Sequence, residues 1–310
     1  MRPIGGEPEL FLKENIFYTD SGRSSIRVFF KNIQGKVLIP DFLCEVISET
    51  LKKENIEYDY YHINEDLSID FNTVKNFDIL YVINYFGIKQ KIDINLDNKY
   101  LIEDNVFFYD FENRGFKNWF SFNSYRKVTH LADGSLIKTN LDIKFKQENR
   151  NLFSDSKYKA KKIKYDFIFN NKWLERDYLK LFKKAESILD NQGEIFSISD
   201  KSIYLLSLYN VKYYQDIRKK RFEKLLNELG DFCINKNPEF YSFFVIKIDN
   251  RDKFRKMLFQ KNIFLPIHWP NNEVDNVLYD KVISIPLFEN YDEKDFEYLI
   301  DSIKEVLYKL

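Results

Sequence analysis

Short apolar runs that end at polar or helix-breaking residues recur along the first 140 residues of this 310-residue chain. They alternate with amphipathic stretches, and the run Ile79–Ile83 is apolar at every position. A strand that is apolar on both faces is typical of a parallel sheet with helices on both sides. The alternation therefore predicts strand-helix-strand units and a largely parallel central sheet, which is the layered core of an α/β protein.

The periodicity also predicts individual elements. Helices are expected over residues 24–33, 42–55, about 174–189, 213–229, 251–261 and 293–307, and strands over residues 36–39, 58–61, 79–83, 100–102, 135–138 and 241–248. A lysine-rich connection over residues 144–164 is expected to be a solvated surface. The strand-helix-strand-helix order after residue 239 fits a small α+β domain. We therefore expect a large α/β domain over residues 1–210 and a smaller one over residues 211–310, with no linker to mark the boundary.

The charge balance limits the possible partners. The 48 basic and 48 acidic side chains cancel, so no overall field attracts nucleic acid or an anionic membrane. No apolar run reaches membrane-spanning length, and Cys44 and Cys233 are too few for a disulfide framework. No charged-then-apolar leader precedes Ile4. We therefore expect a cytoplasmic protein with a small-molecule substrate and neither a nucleic-acid nor a membrane partner.

Lys127 has the most suggestive local sequence, FSFNSYRKVTHLADGSLIKT over residues 120–139. It follows Asn123 and Ser124, compact donors of the kind that hold a phosphate, and precedes a glycine turn into an apolar strand. An amine that attacks an aldehyde must lose its proton near neutral pH, so it needs a second cation or a dry pocket. The pattern suits a lysine that binds an aldehyde cofactor, whereas the alternative is a solvated surface lysine.

This segment resembles the pyridoxal-phosphate (PLP) aminotransferases of the DegT/DnrJ/StrS type. The resemblance is to a branch with Ser-x-Arg-Lys before a run that ends in Asp-Gly, here Ser124, Arg126, Lys127, Asp133 and Gly134. Other motifs follow in the expected order: IGGEPEL (4–10), SGRSSI (21–26), VLIPDFLCEVI (37–47), YVINYFG (81–87), LIED (101–104), LPIHWP (265–270) and ISIPLFENYDEKDFEYL (283–299). The resemblance covers nearly the whole chain and implies the fold type I of PLP-dependent transferases.

The resemblance also implies roles for single residues. Lys127 would hold the cofactor and move a proton at the substrate, while Asp104 would pair with the pyridine nitrogen and keep it protonated. The cofactor phosphate would meet backbone N–H groups at a helix start and the side chains before the lysine. The residues expected at the phosphate are Arg23, Ser24, Ser25, Ser124 and, more weakly, Asn123. Helix capping and a strand-end turn are the structural alternatives for the helix start and for Asp104.

Two positions depart from the pattern of the relatives. Where they often carry an aromatic residue that stacks on the cofactor ring, this chain has Cys44. Where they commonly have a His or Gln that reaches the cofactor's phenolic oxygen, it has Phe107, which packs but cannot form a hydrogen bond. His268, in the segment that approaches the active site of relatives, is a candidate substrate contact.

Three functions follow from the resemblance. The leading hypothesis is a homodimeric PLP-dependent aminotransferase that moves an amino group, from glutamate, onto a nucleotide-linked keto-sugar in surface-polysaccharide synthesis. The second is a PLP-dependent enzyme of the same fold that eliminates water or acts on another substrate. The third is a non-catalytic homologue that serves as a binding or partner subunit, for which Cys44 and Phe107 are the evidence.

Overall fold

Nine strands are present in the computed structural model, which describes residues 15–149, 152–270 and 273–310. They are β1 (Ile16–Thr19), β2 (Val37–Pro40), β3 (Tyr58–Tyr61), β4 (Ile79–Ile83), β5 (Tyr100–Asp104), β6 (Trp119–Phe122), β7 (Ser135–Thr139), β8 (Phe243–Lys247) and β9 (Val282–Pro286). The predicted motif over residues 4–10 lies outside the described residues.

The first seven strands form one sheet in the order β1-β7-β6-β5-β4-β2-β3. The five strands from β6 to β3 run parallel to one another, whereas β7 and β1 are antiparallel to their neighbours. Every residue of β2, β4 and β6 is buried, as expected for a sheet with helices on both faces. The predicted mostly parallel α/β architecture is confirmed.

Ten α-helices connect and cover the strands in the described part of the chain. They are α1 (Gly22–Phe30), α2 (Glu45–Lys53), α3 (Tyr125–Val128), α4 (Leu152–Asn170), α5 (Glu175–Asp190), α6 (Asp200–Ser207), α7 (Val211–Leu229), α8 (Arg251–Phe259), α9 (Leu278–Lys281) and α10 (Glu293–Tyr308). None of the described helices combines the length and the apolar character needed to cross a membrane.

The C-terminal part has its own small antiparallel sheet, β8 with β9, beside helices α7, α8 and α10. A separate apolar core lies there, with Phe244, Ile283 and Phe296 fully buried. It joins the large sheet through Gly87, whose carbonyl accepts hydrogen bonds from the N–H groups of Glu239 and Phe240. The expected small α+β unit is therefore present, while the domain boundary at residue 210 stays a prediction.

The predicted solvated connection over residues 144–164 is wrong in its second half, because residues 152–170 form helix α4, which packs against α5. Phe153, Ala160 and Ile163 are buried on one side of α4. The lysines between them obscure this apolar face, because lysine stems pack along apolar surface and only their amines need solvent or a carboxylate. The short elements β1, β6, α3, α6 and α9 were not predicted from the sequence.

Candidate active site

A cavity lies at the carboxyl edge of the parallel strands, where ligands of α/β sheets commonly bind. Its lining includes Asp104, the last residue of β5, and Lys127, in the helix that follows β6. The start of α1 and the residue before α2 complete one side, and Trp269 from the C-terminal part lies at another. Because the parallel strands all end at this edge, residues far apart in sequence meet there.

Asp104 is a buried acid with two hydrogen-bond donors. The Tyr81 hydroxyl donates to Oδ2 at 2.7 Å, and the Val106 backbone N–H donates to Oδ1 at 3.0 Å. Burial raises the pKa of Asp104 to about 6, while the two hydrogen bonds and the Lys127 charge act in the opposite direction. Asp104 is therefore predominantly ionised at neutral pH and lies in a cavity that favours a cationic partner.

Lys127 lies in the four-residue helix α3, which begins after Ser124. Burial lowers the pKa of Lys127, and Arg126 adds to this effect, while Cys44 and Asp104 act against it. A lowered pKa leaves more of the amine neutral, as a nucleophilic lysine requires. Both conditions that the sequence suggested, a neighbouring cation and a dry pocket, are present.

The start of α1 faces the same cavity through Ser21, Gly22 and Arg23. Ser21 is the N-cap, and its Oγ accepts the N–H of Ser24 at 3.3 Å. A Cβ atom on Gly22 would lie 3.1 Å from Cε2 of Phe122, so glycine allows the helix to begin close to the end of β6. The N-terminus of α1, with its partial positive charge, therefore lies at the same cavity as Lys127.

Five of the predicted site residues line one cavity: Arg23, Cys44, Asp104, Ser124 and Lys127. Ser24 and Ser25 do not line it. Ser24 Oγ donates to Asp20 Oδ1 at 2.6 Å, and Ser25 Oγ lies 2.8 Å from Ser135 Oγ. These two hydroxyls support the helix start from the protein interior.

Asn123, Phe107 and His268 lie behind the cavity wall. The Asn123 amide donates to the Tyr109 carbonyl at 2.7 Å and accepts the Leu136 N–H at 2.8 Å, which fixes the loop before α3. The Phe107 and His268 rings are 5.5 Å apart in an aromatic cluster. Burial, followed by the Lys127 charge, lowers the pKa of His268 well below its usual value, so this imidazole is neutral.

Two cavity-lining side chains carry buried donors without a partner among the described residues. One is Nη1 of Arg23, whose Nη2 pairs with Asp190 at 2.7 Å. The other is Nε1 of Trp269, a residue that is 5% exposed. A buried N–H without an acceptor costs roughly 1–3 kcal/mol, so these two donors destabilise the cofactor-free protein.

Arg126 extends the site toward helices α4 and α5. Its Nη1 donates to both carboxylate oxygens of Glu186, at 2.9 and 3.2 Å, and Lys157 donates to the same carboxylate. Partial burial favours protonation of Glu186, but the Arg126 and Lys157 charges outweigh it and lower the pKa to about 2. Ser21, Gly22, Tyr81, Arg126 and Trp269 were not among the predicted site residues. Each lies within one of the motifs that carry the resemblance, and that position is the signal that could have indicated it.

No protein-family model matches the sequence, and no curated protein matches it. Solved structures with a similar fold include aminotransferase TlmJ from Streptoalloteichus hindustanus, at 12% identity over 96% of this chain and 86% of that chain, with a TM-score of 0.63. Spr1654 from Streptococcus pneumoniae, assigned as a sugar aminotransferase, in its PLP form, matches at 10% identity over 95% and 87%, with a TM-score of 0.64. A DegT DnrJ EryC1 StrS aminotransferase from Brucella abortus matches at 11% identity over 94% and 85%, with a TM-score of 0.57. This chain has the fold of these aminotransferases.

Proposed function

We propose that the chain is a PLP-dependent aminotransferase that acts on a keto-sugar. The observation that carries the proposal is the shared cavity of Lys127 and Asp104, with the N-terminus of α1 and Ser124 beside them. A nucleophilic amine, a buried carboxylate and a helix start are the three protein groups that a pyridine aldehyde with a phosphate requires. The fold shared with sugar aminotransferases supports the same conclusion.

The cavity residues fit this cofactor chemically. The start of α1 at Gly22 and Arg23 and the Ser124 hydroxyl would hold the phosphate, and Asp104 would pair with the protonated ring nitrogen. When bound, PLP supplies an aldehyde that reacts with amines and a ring that accepts electrons. The unpaired donors on Arg23 and Trp269 would find acceptors in the oxygen atoms of a bound ligand.

Lys127 has two roles in this proposal. Its amine anchors the cofactor, and once a substrate amine takes its place, the freed amine moves a proton at the substrate Cα. Both roles depend on the neutral form, which burial and Arg126 favour. The Asp104 carboxylate would pair with the ring nitrogen of the cofactor and keep it protonated, which would favour loss of the proton from the substrate Cα.

The resemblance extends the proposal to the substrates. It supports glutamate as the amino donor, a nucleotide-linked keto-sugar as the acceptor, surface-polysaccharide synthesis as the setting and a cytoplasmic homodimer as the active form. These assignments rest on the motifs and on the fold, and product analysis with candidate nucleotide-sugars is their direct test.

A second candidate function, a homologue that binds PLP without turnover or that eliminates water, is favoured by Phe107. This residue is fully buried and packs on Phe86 at a centroid distance of 4.7 Å, so it supplies no polar group to a cofactor. Transamination consumes glutamate and leaves an amine on the product, whereas elimination does not. Glutamate consumption therefore separates the two functions.

The visible spectrum of the purified protein with PLP tests the leading proposal. We expect absorbance from covalently bound cofactor that Lys127→Ala abolishes and that glutamate converts to the spectrum of the amine form. Lys164→Ala, which removes an exposed lysine elsewhere, is the matched control and should behave as wild type. A wild-type protein that takes up no PLP, or a Lys127→Ala variant with an unchanged spectrum, would contradict the proposal.

A further inference from the structure

We propose that Arg126, Lys157 and Lys161 form a second anion site beside the cavity, which binds a substrate group that carries two negative charges. The inference rests on the proposed function in one respect, that the group belongs to a substrate. Two sources share this chemistry: a phosphate on the sugar substrate and the paired carboxylates of a dicarboxylic amino donor or its keto acid.

Arg126 connects this cluster to the cavity. It is adjacent to Lys127, it lines the cavity, and its side chain is 22% exposed. Only its Nη1 is used for Glu186, and its Nε and Nη2 have no hydrogen-bond partner among the described residues. A guanidinium with a free edge can bind a phosphate or a carboxylate through two parallel hydrogen bonds.

Lys157 is held in place by contacts on two sides. Its side chain is 14% exposed, its amine contacts Glu186, and it lies 5.0 Å from the Phe182 ring centroid and 6.0 Å from that of Phe153. The Arg126 guanidinium also lies over Phe153, at 5.6 Å. The two cationic groups are thus fixed side by side over one aromatic ring and share one carboxylate.

Lys161 lies one turn further along α4, on the same side as Lys157, and is partly buried. It forms no ion pair or hydrogen bond in the described part of the chain. Burial lowers the pKa of Lys161 to about 8, and the neighbouring Lys157, Lys164 and Arg126 add to the effect. Lys161 in turn lowers the pKa of His130, with burial as the larger cause.

The charge of the cluster is not balanced within the described residues. Arg126, Lys157 and Lys161 contribute three positive charges, and Glu186 is the one carboxylate paired with them. Partly buried charges are stable when paired, and an unpaired one shifts its pKa instead, as Lys161 does. A dianionic group would balance the remaining two charges and raise the pKa of Lys161 toward its usual value.

Calorimetry with the PLP-loaded protein at low ionic strength and pH 8 tests the site, with inorganic phosphate and 2-oxoglutarate, both predominantly dianionic at this pH, as separate probes. We expect one of them to bind, which identifies the source, and Lys161→Met to weaken that binding about tenfold. Lys159→Met changes an exposed lysine of the same helix that lies two positions before Lys161, on a different side of α4, and should stay within about twofold of wild type.

Proton uptake provides a second readout. Because the pKa of Lys161 is about 8, we expect binding at pH 8 to take up about half a proton, measured as a dependence of the heat on the buffer. Lys161→Arg should keep the binding and lose the uptake, because arginine is already fully charged. Because Lys161→Arg keeps the positive charge, its binding also provides evidence for the site that does not depend on correct folding of Lys161→Met.

Three results would overturn the site: no binding of either probe to wild type, equal binding by Lys161→Met and wild type, or equal losses in Lys161→Met and Lys159→Met. The visible spectrum with PLP separates failure of the anion site from failure of the proposed function. All three lysine variants should bind PLP as wild type does, so a protein that binds an anion through Lys161 but takes up no PLP would refute the cofactor proposal alone.

Discussion

The Tyr81 hydroxyl donates a 2.7 Å hydrogen bond to Asp104, and both side chains are buried on the same face of adjacent parallel strands. Ile83 is the register partner of Asp104, so Tyr81, two residues earlier, lies diagonally opposite the acid. Burial favours the neutral acid, and the tyrosine favours the carboxylate. Tyr81 therefore helps to keep Asp104 ionised at neutral pH.

We expect Tyr81→Phe to raise the pKa of Asp104 above about 6, because a hydrogen bond to a charged group contributes roughly 1.5–3 kcal/mol. In wild type the acid titrates at 3.8 when unfolded and at about 6 when folded, so its contribution to stability falls as the pH rises between these values. In Tyr81→Phe the fall should continue above pH 6, as measured by urea unfolding of the cofactor-free protein between about pH 4 and 8.

Tyr61→Phe is the matched control for Tyr81→Phe, because Tyr61 is an equally buried tyrosine whose hydroxyl donates at 3.0 Å to the Tyr81 backbone carbonyl rather than to an acid. Tyr61→Phe should lower the free energy of unfolding by an amount that does not change with pH. A Tyr81→Phe profile parallel to that of Tyr61→Phe would show that Tyr81 does not tune Asp104.

Trp269→Phe should separate stability from cofactor affinity. The change removes a buried indole N–H without an acceptor, which stabilises the cofactor-free protein, and it also removes packing, which destabilises it. The two effects oppose each other, so we expect the free energy of unfolding to change by less than about 1 kcal/mol. PLP affinity should fall about tenfold if the indole donates to the ligand, as measured by titration of the visible absorbance.

Trp173→Phe serves as the control for Trp269→Phe, since Trp173 is 57% exposed in the turn between α4 and α5. It should leave both stability and PLP affinity unchanged. A Trp269→Phe variant with wild-type affinity would mean that the indole N–H stays unpaired in the loaded protein.

The sequence predicted five of the seven strands of the large sheet and missed β1 and β6. Strands β3 and β4 have the predicted bounds, and β5 extends two residues beyond its predicted end to include Asp104. Strand β6 was missed, because Trp119–Phe122 is a short run inside a segment rich in turn-forming residues. Local periodicity identifies a strand only where several successive residues share one environment.

Lys127, Asp104, Ser124 and Arg23 were identified from the motifs of the resemblance, although β6 and α3, which position Ser124 and Lys127, were not predicted. Tyr81 and Trp269 also lie within motifs, but no role was predicted for either. Tyr81 reads as a core residue of an apolar strand, and its contact with Asp104 depends on the register between two strands 21 residues apart. Trp269 reaches the cavity from the C-terminal part of the chain, so its role depends on tertiary packing that no local pattern encodes.

Gly87→Ala should lower stability by about 3 kcal/mol or more. Gly87 has φ of +88°, and a Cβ atom there would lie 1.8 Å from the Phe240 carbonyl oxygen, at the contact between the large sheet and the C-terminal part. Gly115→Ala is the control for backbone strain alone, because its φ is +99° and nothing lies within 4 Å of the added Cβ. In urea unfolding, Gly115→Ala should lower the free energy of unfolding by about 1 kcal/mol. Equal losses in Gly87→Ala and Gly115→Ala would show that contact with the Phe240 carbonyl adds nothing to the backbone strain.

Asp133→Asn should lower the free energy of unfolding by about 3 kcal/mol. The buried Asp133 carboxylate joins the segment that follows α3 to helices α4 and α6. Its Oδ2 accepts the Ser199 N–H at 2.8 Å, and its Oδ1 accepts the hydroxyls of Ser199 at 2.8 Å and Ser154 at 2.9 Å, with Ser202 a further donor. An asparagine removes the negative charge and replaces one carboxylate oxygen by an NH2 group, which faces either the Ser199 N–H or the serine hydroxyls, so at least one charge-assisted hydrogen bond is lost. Ser154→Ala removes one donor and keeps the carboxylate, so we expect it to cost about 1 kcal/mol. Urea unfolding of the two variants decides the point, since equal losses would mean that the carboxylate contributes no more than a single hydroxyl contact.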